Sequence, residues 1–305
     1  MTIRLPGGFV LEEPEKAGPV PPGLPSSFLH LTLPPAGDRK ADPMIVANTA
    51  INVKRGLPIL QLENYKPRAP AIIVGGGPSL ADTLDELRAI AAEPGACIIC
   101  ANDSHDFLIA NGIVPWGCVF WEIQSSFANF FENARDDVTY LLSAFAHPSA
   151  FEKLAGKKIV IFFATQFVGD EKIIADYMRE HGKQGMIGGA ATAPLRAVGI
   201  MLCKGHLRFH LFGVDSSFRD GQSHAYYNRE KAGLPIWCAG RMFDTNWYLA
   251  KQAENFTEYM KNYGDRYEFV VHGDGLIPHI ARQHGRHFDQ WKAAKEARCS
   301  PSLAS

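Results

Sequence analysis

Three stretches of this chain carry residue types suited to binding and transforming phosphorylated compounds. The first is Ile72-Ile-Val-Gly75-Gly76-Gly77-Pro78-Ser79-Leu80, an apolar run entering three glycines, a proline and a serine ahead of an amphipathic segment. Glycine lets backbone approach a ligand closely, and a helix N-terminus offers unpaired N–H groups with the positive end of the helix dipole. The stretch reads as a phosphate-binding turn in the first crossover of an α/β sheet; the plainer alternative is a tight turn capped by Ser79. It matches neither the Gly-x-Gly-x-x-Gly dinucleotide fingerprint nor a P-loop, because Leu80 follows Ser79 and no Lys-Ser/Thr pair appears.

Asn102-Asp103 and Glu122 follow the next two apolar runs, where a parallel sheet would deliver them to the same carboxyl edge as the glycine turn. Their side chains could hydrogen-bond a base or a ribose, or Asn102 or Asp103 could simply cap a helix beginning near Ser104. Gly188-Gly189-Ala-Ala-Thr192 opens an Ala-rich stretch, which is either a second anion-binding N-terminus or close helix packing. The third cluster runs from Phe212-Gly-Val-Asp215 into a polar loop with Arg219, His224, Tyr226 and Tyr227. Histidine is the side chain best matched to proton transfer near neutral pH, and loops past strand ends carry catalysis, so His224 is the candidate base. Neither the His206/His210 pair nor the C-terminal histidines have metal-ligand spacing, and no Asp-x-Asp follows a strand. No metal site is expected, although Asp215 could supply one ligand.

The elements that must position these residues follow from hydrophobic periodicity. From Ala71 onward, short apolar runs alternate with amphipathic stretches, as in a parallel sheet covered on both faces. Strands are expected at 71–74, 97–100, 118–121, 139–142, 159–163, 209–212 and 267–271, and helices at 46–55, 80–92, 104–111, 188–202 and 244–263. The fold class is therefore α/β, a mostly parallel sheet with helices on both faces. Residues 1–45 are too rich in Pro and Gly for regular structure and read as an extended arm that wraps the body or mediates assembly, which makes a homo-oligomer one expectation. The body spans 46–285, and 286–305 reads as a basic helix and a fraying tail.

Composition narrows the classes. Of 305 residues 46% are hydrophobic and 21% charged, with 31 Lys+Arg against 32 Asp+Glu. Such a balance disfavours a surface that binds duplex nucleic acid by neutralising phosphates. The N-terminus lacks the apolar core of a signal peptide, and no stretch approaches the roughly 20 apolar residues of a membrane span, so a cytoplasmic protein is expected. The six scattered cysteines suit buried thiols in a reducing compartment, and Cys97-Ile-Ile-Cys100 reads as a core strand.

Taken in order, Val74-Gly-Gly-Gly-Pro-Ser-Leu80, Cys100-Ala-Asn102-Asp103, Val119-Phe-Trp-Glu122, Gly188-Gly189, Gly213-Val-Asp215 and Gln222-Ser-His224-Ala225 resemble one superfamily over about residues 46 to 285. It contains MptE-like 6-hydroxymethylpterin diphosphokinases, motility accessory factors and bacterial lipooligosaccharide sialyltransferases. The sialyltransferase branch implies metal-independent transfer from a CMP-sugar by a single Rossmann-like nucleotide-binding domain with a small lid, here around 214–243. Residues 75–79 would hold the nucleotide, Asn102 and Glu122 would sit near base and sugar, His224 would be the lid base, and Tyr226 and Tyr227 would hold the CMP phosphate. The diphosphokinase branch implies ATP, Mg²⁺ and a Thr-Asp-Leu-Asp-Gly-type motif. Here Phe120-Trp121-Glu122-Ile123-Gln124 stands in that place without the paired aspartates. The resemblance favours a glycosyltransferase with a nucleotide-sugar co-substrate, an unknown acceptor and no tightly bound cofactor. A diphosphokinase and a nucleotide-binding scaffold without turnover are the alternatives.

Overall fold

The computed structural model describes residues 3–4, 10–11, 43–61, 69–125, 130–164, 186–187, 192–227 and 232–299. The sheet strands are β1 (Ala71–Val74), β2 (Cys97–Ala101), β3 (Gly117–Phe120), β4 (Thr139–Ser143), β5 (Lys158–Ala164), β6 (Met186–Ile187), β7 (Arg208–Phe212) and, last in the chain, β10 (Glu268–Val271). They form one sheet in the order β10-β7-β1-β2-β3-β4-β5-β6, and every neighbouring pair is parallel. All four residues of β1 and of β3 are buried, as continuous apolar runs must be when both faces of a parallel sheet are covered.

Alternate residues feed two cores. Ala71, Ile73, Ile99, Val119 and Leu211 face α5 (Ala193–Cys203), α6 (Trp247–Tyr263) and α7 (Leu276–Gln283), where Leu195, Val198, Phe256 and Ile280 meet them. Ile72, Val74, Cys100, Phe120 and Leu142 face α2 (Leu84–Ala91), α3 (Ser104–Ala110) and α4 (Pro148–Lys153) through Leu87, Leu108 and Phe151. Helix α1 (Pro43–Val53) is held at the far side by its asparagines: Asn48 and Asn52 donate to the Phe145, Ala144 and Ala146 carbonyls. No helix among the described residues is long and apolar enough to cross a membrane.

The structure moves several expected boundaries. The helix expected over 80–92 begins with a 3-10 turn, Pro78–Thr83, before α2, because Pro78 sets φ at the first position and frees no N–H. The helix expected over 188–202 starts at Ala193; residues 188–191, including Gly188 and Gly189, lie outside the described residues. The helix expected from residue 244 starts at Trp247, where Asn246 caps it by accepting the Leu249 N–H at 3.0 Å. Residues 244 and 245 belong to a hairpin instead, β8 (Leu234–Cys238) against β9 (Arg241–Thr245), closed by Ala239 and Gly240 with φ of 42° and 83°. Two positive φ values make a type I′ turn, the hairpin connection whose twist matches its strands. The C-terminal helix α8 starts at Phe288 and ends at Cys299. Of the Pro-rich arm, only Ile3–Arg4 paired with Val10–Leu11 and the start of α1 are described.

One polar cluster lies within the core under α8. His210 Nδ1 is 3.0 Å from His272 Nε2, and His272 Nδ1 is 2.9 Å from Glu86 Oε2. An ionised carboxylate only accepts, so His272 donates through Nδ1 and its Nε2 accepts from His210. The rings of Phe212 and Phe288 stack on the two faces of His272, and Trp291 meets His210 edge-on. Burial holds both imidazoles neutral, lowering each from the ordinary value to about 3, helped at His210 by His272 and at His272 by His287. The unfolded chain would bind protons at these sites near pH ~6.5 and the folded chain would not, so stability should fall as the pH drops from there toward 3. Replacing His272 by Phe should cost about 1–3 kcal/mol at neutral pH by orphaning His210 Nδ1–H, and should shallow the acid limb. Urea unfolding at a series of pH values checks both; an acid limb as steep in His272→Phe as in the parent would show that other groups govern it.

Candidate functional site at the carboxyl edge of the sheet

The glycine turn after β1 lies against the chain leaving β7. Gly75 N–H donates to Phe212 O at 2.9 Å and Gly77 N–H to Gly213 O at 2.7 Å. A β-carbon on Gly75 would stand 2.5 Å from Gly213 O, and one on Gly77 would stand 2.6 Å from Asp215 Oδ2. Asp215 then clasps the start of the 3-10 turn: Ser79 N–H donates to Oδ2 at 2.7 Å and Ser79 Oγ–H to Oδ1 at 2.5 Å. Arg219 reaches back from the same loop to Pro78 O and to Asp82.

These contacts reassign residues expected to bind a nucleotide. The amides of Gly75, Gly77 and Ser79 are committed to the protein's own carbonyls and to Asp215, and Pro78 has no N–H. Among the described residues, Gly76 holds the one turn amide between 75 and 79 without a hydrogen-bond partner. Asp215 is buried with both oxygens on Ser79, so it faces neither ligand nor metal but supplies the acceptors for the Ser79 N–H and Oγ–H at this helix start.

The lid loop sits directly on Gly76. Ala225 N–H donates to Gly76 O at 2.9 Å, and a β-carbon on Gly76 would come 2.5 Å from Tyr226 Oη and 2.7 Å from His224 Cδ2. His224 Nδ1 is 2.9 Å from Ser223 Oγ, and its ring stacks on Tyr227 with centroids 4.8 Å apart. Tyr226 Oη donates to Asp103 Oδ1 at 2.9 Å while its ring stacks on Phe107 at 5.0 Å. Asp103 precedes α3 but its side chain makes no cap bond, so the capping alternative does not hold for it.

Across the neighbouring strand ends, Asn102 adopts φ 53°, a left-handed conformation uncommon for a side-chain-bearing residue and enriched at functional sites. Its Nδ2 donates to Glu122 Oε1 at 2.9 Å; the carboxylate can only accept, so the amide's orientation is fixed. Asn102 Oδ1 is buried with no hydrogen-bond partner in the structure. Thr192, at the start of α5, accepts from Gln252 Nε2 at 2.8 Å, and Gln252 Oε1 accepts from Ser216, itself at φ 54°.

The edge thus brings together Gly76, Asn102, Asp103, Glu122, His224, Tyr226 and Tyr227, while Asp215 and the remaining turn residues form its foundation. Sequence reasoning missed Ser223, Phe107, Gln252 and Arg196. Ser223 was visible as the neighbour of His224. Arg196, buried in α5 with its guanidinium 4.9 Å from the Trp121 ring centroid and Nη1 donating to Ile187 O, left no sign beyond a cation inside an apolar helical run. For a magnesium ion the acids do not fit as a set: among the described residues no three His, Cys, Asp or Glu side chains group to hold a metal ion, and Asp215 has both oxygens on Ser79.

Burial pushes the Asp215 carboxyl up to about 7, against the lowering effect of the two Ser79 hydrogen bonds. A carboxyl raised by folding stabilises the native state fully below its unfolded pKa near ~4, and that contribution is lost as the pH rises through 7. Asp215→Asn keeps an oxygen for Ser79 N–H and cannot ionise. Relative to this variant, the parent should lose stability between pH ~4 and ~7 at up to ~1.4 kcal/mol per pH unit. Parallel urea titrations measure the difference, and a pH-independent difference would refute the assignment.

The family model of the 6-hydroxymethylpterin diphosphokinase MptE-like proteins matches residues 45–221, more than half of the chain. A structure of the MAf glycosyltransferase from Magnetospirillum magneticum AMB-1 superposes with a TM-score of 0.61 at 19% sequence identity, covering 78% of this chain and 37% of that one. At that identity the likeness shows a shared fold, and the chain spans little more than a third of the larger protein. No curated protein matches the sequence. The glycine turn, Asn102, Asp103, Glu122 and the Asp215 clasp all fall within the matched segment, and the chain belongs to the MptE-like family.

Proposed function

We propose that this protein is a transferase that takes a sugar from a CMP-activated donor without a metal ion, with His224 as the base. The observation that carries this reading is the seat of His224. Its ring lies on the backbone of Gly76, with Nδ1 held by Ser223 and one face on Tyr227. In the tautomer that donates Nδ1–H to Ser223, Nε2 has the lone pair that accepts a proton. An acceptor hydroxyl deprotonated there would form the new C–O bond at the anomeric carbon as the bond to the CMP phosphate breaks, and the phosphate would leave with the electron pair.

The rest of the edge suits a neutral, preorganised site. Asn102 Oδ1, held in place by Glu122, is an acceptor aimed to meet an amino or hydroxyl group of a base or sugar. The Gly76 amide offers a donor to an anion. Fixed dipoles of this kind stabilise developing charge without reorganising during the reaction. The MAf structure is described as a glycosyltransferase, which supports transfer chemistry on this fold. The family's diphosphokinase name supports the second reading, pyrophosphate transfer from ATP with Mg²⁺. The commitment of Glu122, Asp103 and Asp215 to protein donors weighs against it, because phosphoryl transfer relies on metal to neutralise charge.

Thermal shift against CMP, UDP, GDP, ADP and ATP, each with Mg²⁺ and with EDTA, separates the readings. At a CMP concentration of about 100 times its dissociation constant, native-state binding adds about 2.7 kcal/mol and should raise the Tm by several degrees in EDTA as in Mg²⁺. A rise with ATP and Mg²⁺ alone would overturn the proposal in favour of diphosphokinase chemistry. Replacing His224 by Ala should lower turnover about 10²–10⁴-fold with little change in CMP affinity.

A further inference from the structure

We propose that Asp103 and Tyr226 form a latch that seats the lid, so that Tyr226 positions His224 and does not itself bind the donor's phosphate. The catalytic consequence rests on the transferase reading above; the structural one does not.

Asp103 and Phe107 stand four residues apart, on one face of the start of α3, and together they hold the Tyr226 ring and hydroxyl. The phenol has one proton, and it is donated to Asp103. A phosphate oxygen needs a donor, so Tyr226 would have to break this bond to serve one, beside a carboxylate that repels the same phosphate. Burial and the Asp103 carboxylate hold the phenol well above its ordinary range, which keeps the donor protonated.

From Tyr226 the fixing passes to the base through two contacts. Tyr226 packs edge-on against Tyr227 with centroids 5.0 Å apart, and Tyr227 stacks on His224 at 4.8 Å. Between them, Ala225 N–H is bonded to Gly76 O. The residue before α3 is therefore spared from capping, a duty its type would fulfil, and is spent on the lid. Helix α3 is anchored to the sheet by buried Leu108, so the latch ties the lid loop to a rigid element.

The test uses the full chain and two readouts: hydrogen exchange at the Ala225 amide, which reports lid seating whether or not the protein turns over, and the split between CMP affinity and kcat. Tyr226→Phe should accelerate Ala225 exchange by about tenfold, lower kcat by a similar factor and leave the dissociation constant for CMP within about twofold. Asp103→Ala should reproduce this, the double variant should be no worse than either single one, and Asp103→Asn, which keeps an acceptor oxygen, should restore protection relative to Asp103→Ala. Weakened CMP binding in Tyr226→Phe with Ala225 protection intact would overturn the latch and make Tyr226 a phosphate ligand. Independent, multiplicative losses in the double variant would overturn it as well. If the parent transfers nothing from a CMP-sugar, the transferase reading fails, and Ala225 exchange still decides the latch.

Discussion

The architecture depends on how closely two neighbouring strand ends approach. Gly75, leaving β1, and Gly213, leaving β7, lie so close that a methyl group on either would stand 2.5 Å from the other's carbonyl oxygen. Only glycine at both positions allows the hydrogen bonds from Gly75 to Phe212 and from Gly77 to Gly213, and Gly213 additionally takes φ 59°. Once the two chains cross there, Asp215 falls at Ser79 and closes the clasp. The loop that continues from Asp215 then has one place to go, over the ends of β1 and β2, and that is where it carries Ser223 to Tyr227.

This crossing also lies at the switch point of the sheet. The chain adds β2 to β6 on one side of β1 and then returns to place β7 and β10 on the other, so the topological switch point lies between β1 and β7. Open α/β sheets bind ligands in the crevice at such a point. Here the clasp lies between the ends of β1 and β7, and the unpartnered Gly76 amide and Asn102 Oδ1 stand beside it toward β2. The glycine triplet that looks from sequence like a phosphate cradle is mostly a device for packing two backbones together.

That distinction was beyond the sequence for a physical reason. A glycine required by a ligand and a glycine required by a neighbouring strand leave the same mark, and only the identity of the group at 2.5 Å separates them. The strands along the chain were legible because fully buried parallel strands are continuous apolar runs, as at 71–74 and 97–100. The β8–β9 hairpin was not, since Pro235 interrupts its alternation and Ala239 is an unusual residue for positive φ. His224 was legible as a residue type in a polar loop past a strand end. Its orientation was not, because it depends on Tyr227, on Gly76 some 150 residues earlier and, through Tyr226, on Asp103.

Electrostatics give the same edge its character. Each acid there is matched by a donor from another element: Glu122 by Asn102, Asp103 by Tyr226, Asp215 by Ser79. These pairs bridge β3 to β2, α3 to the lid, and the β7 loop to the 3-10 turn, so each carboxyl group serves as a cross-tie. Burying an unpaired carboxylate would be costly, and pairing it with a neutral donor both lowers that cost and fixes the donor's geometry. Among these paired acids lie the Gly76 amide and the Asn102 carboxamide oxygen, the latter with its direction set by Glu122. On the proposed transferase reading, such a site would work by holding dipoles and a base in fixed positions, and its precision would depend on the ties that hold the lid as much as on the groups that would touch the ligand.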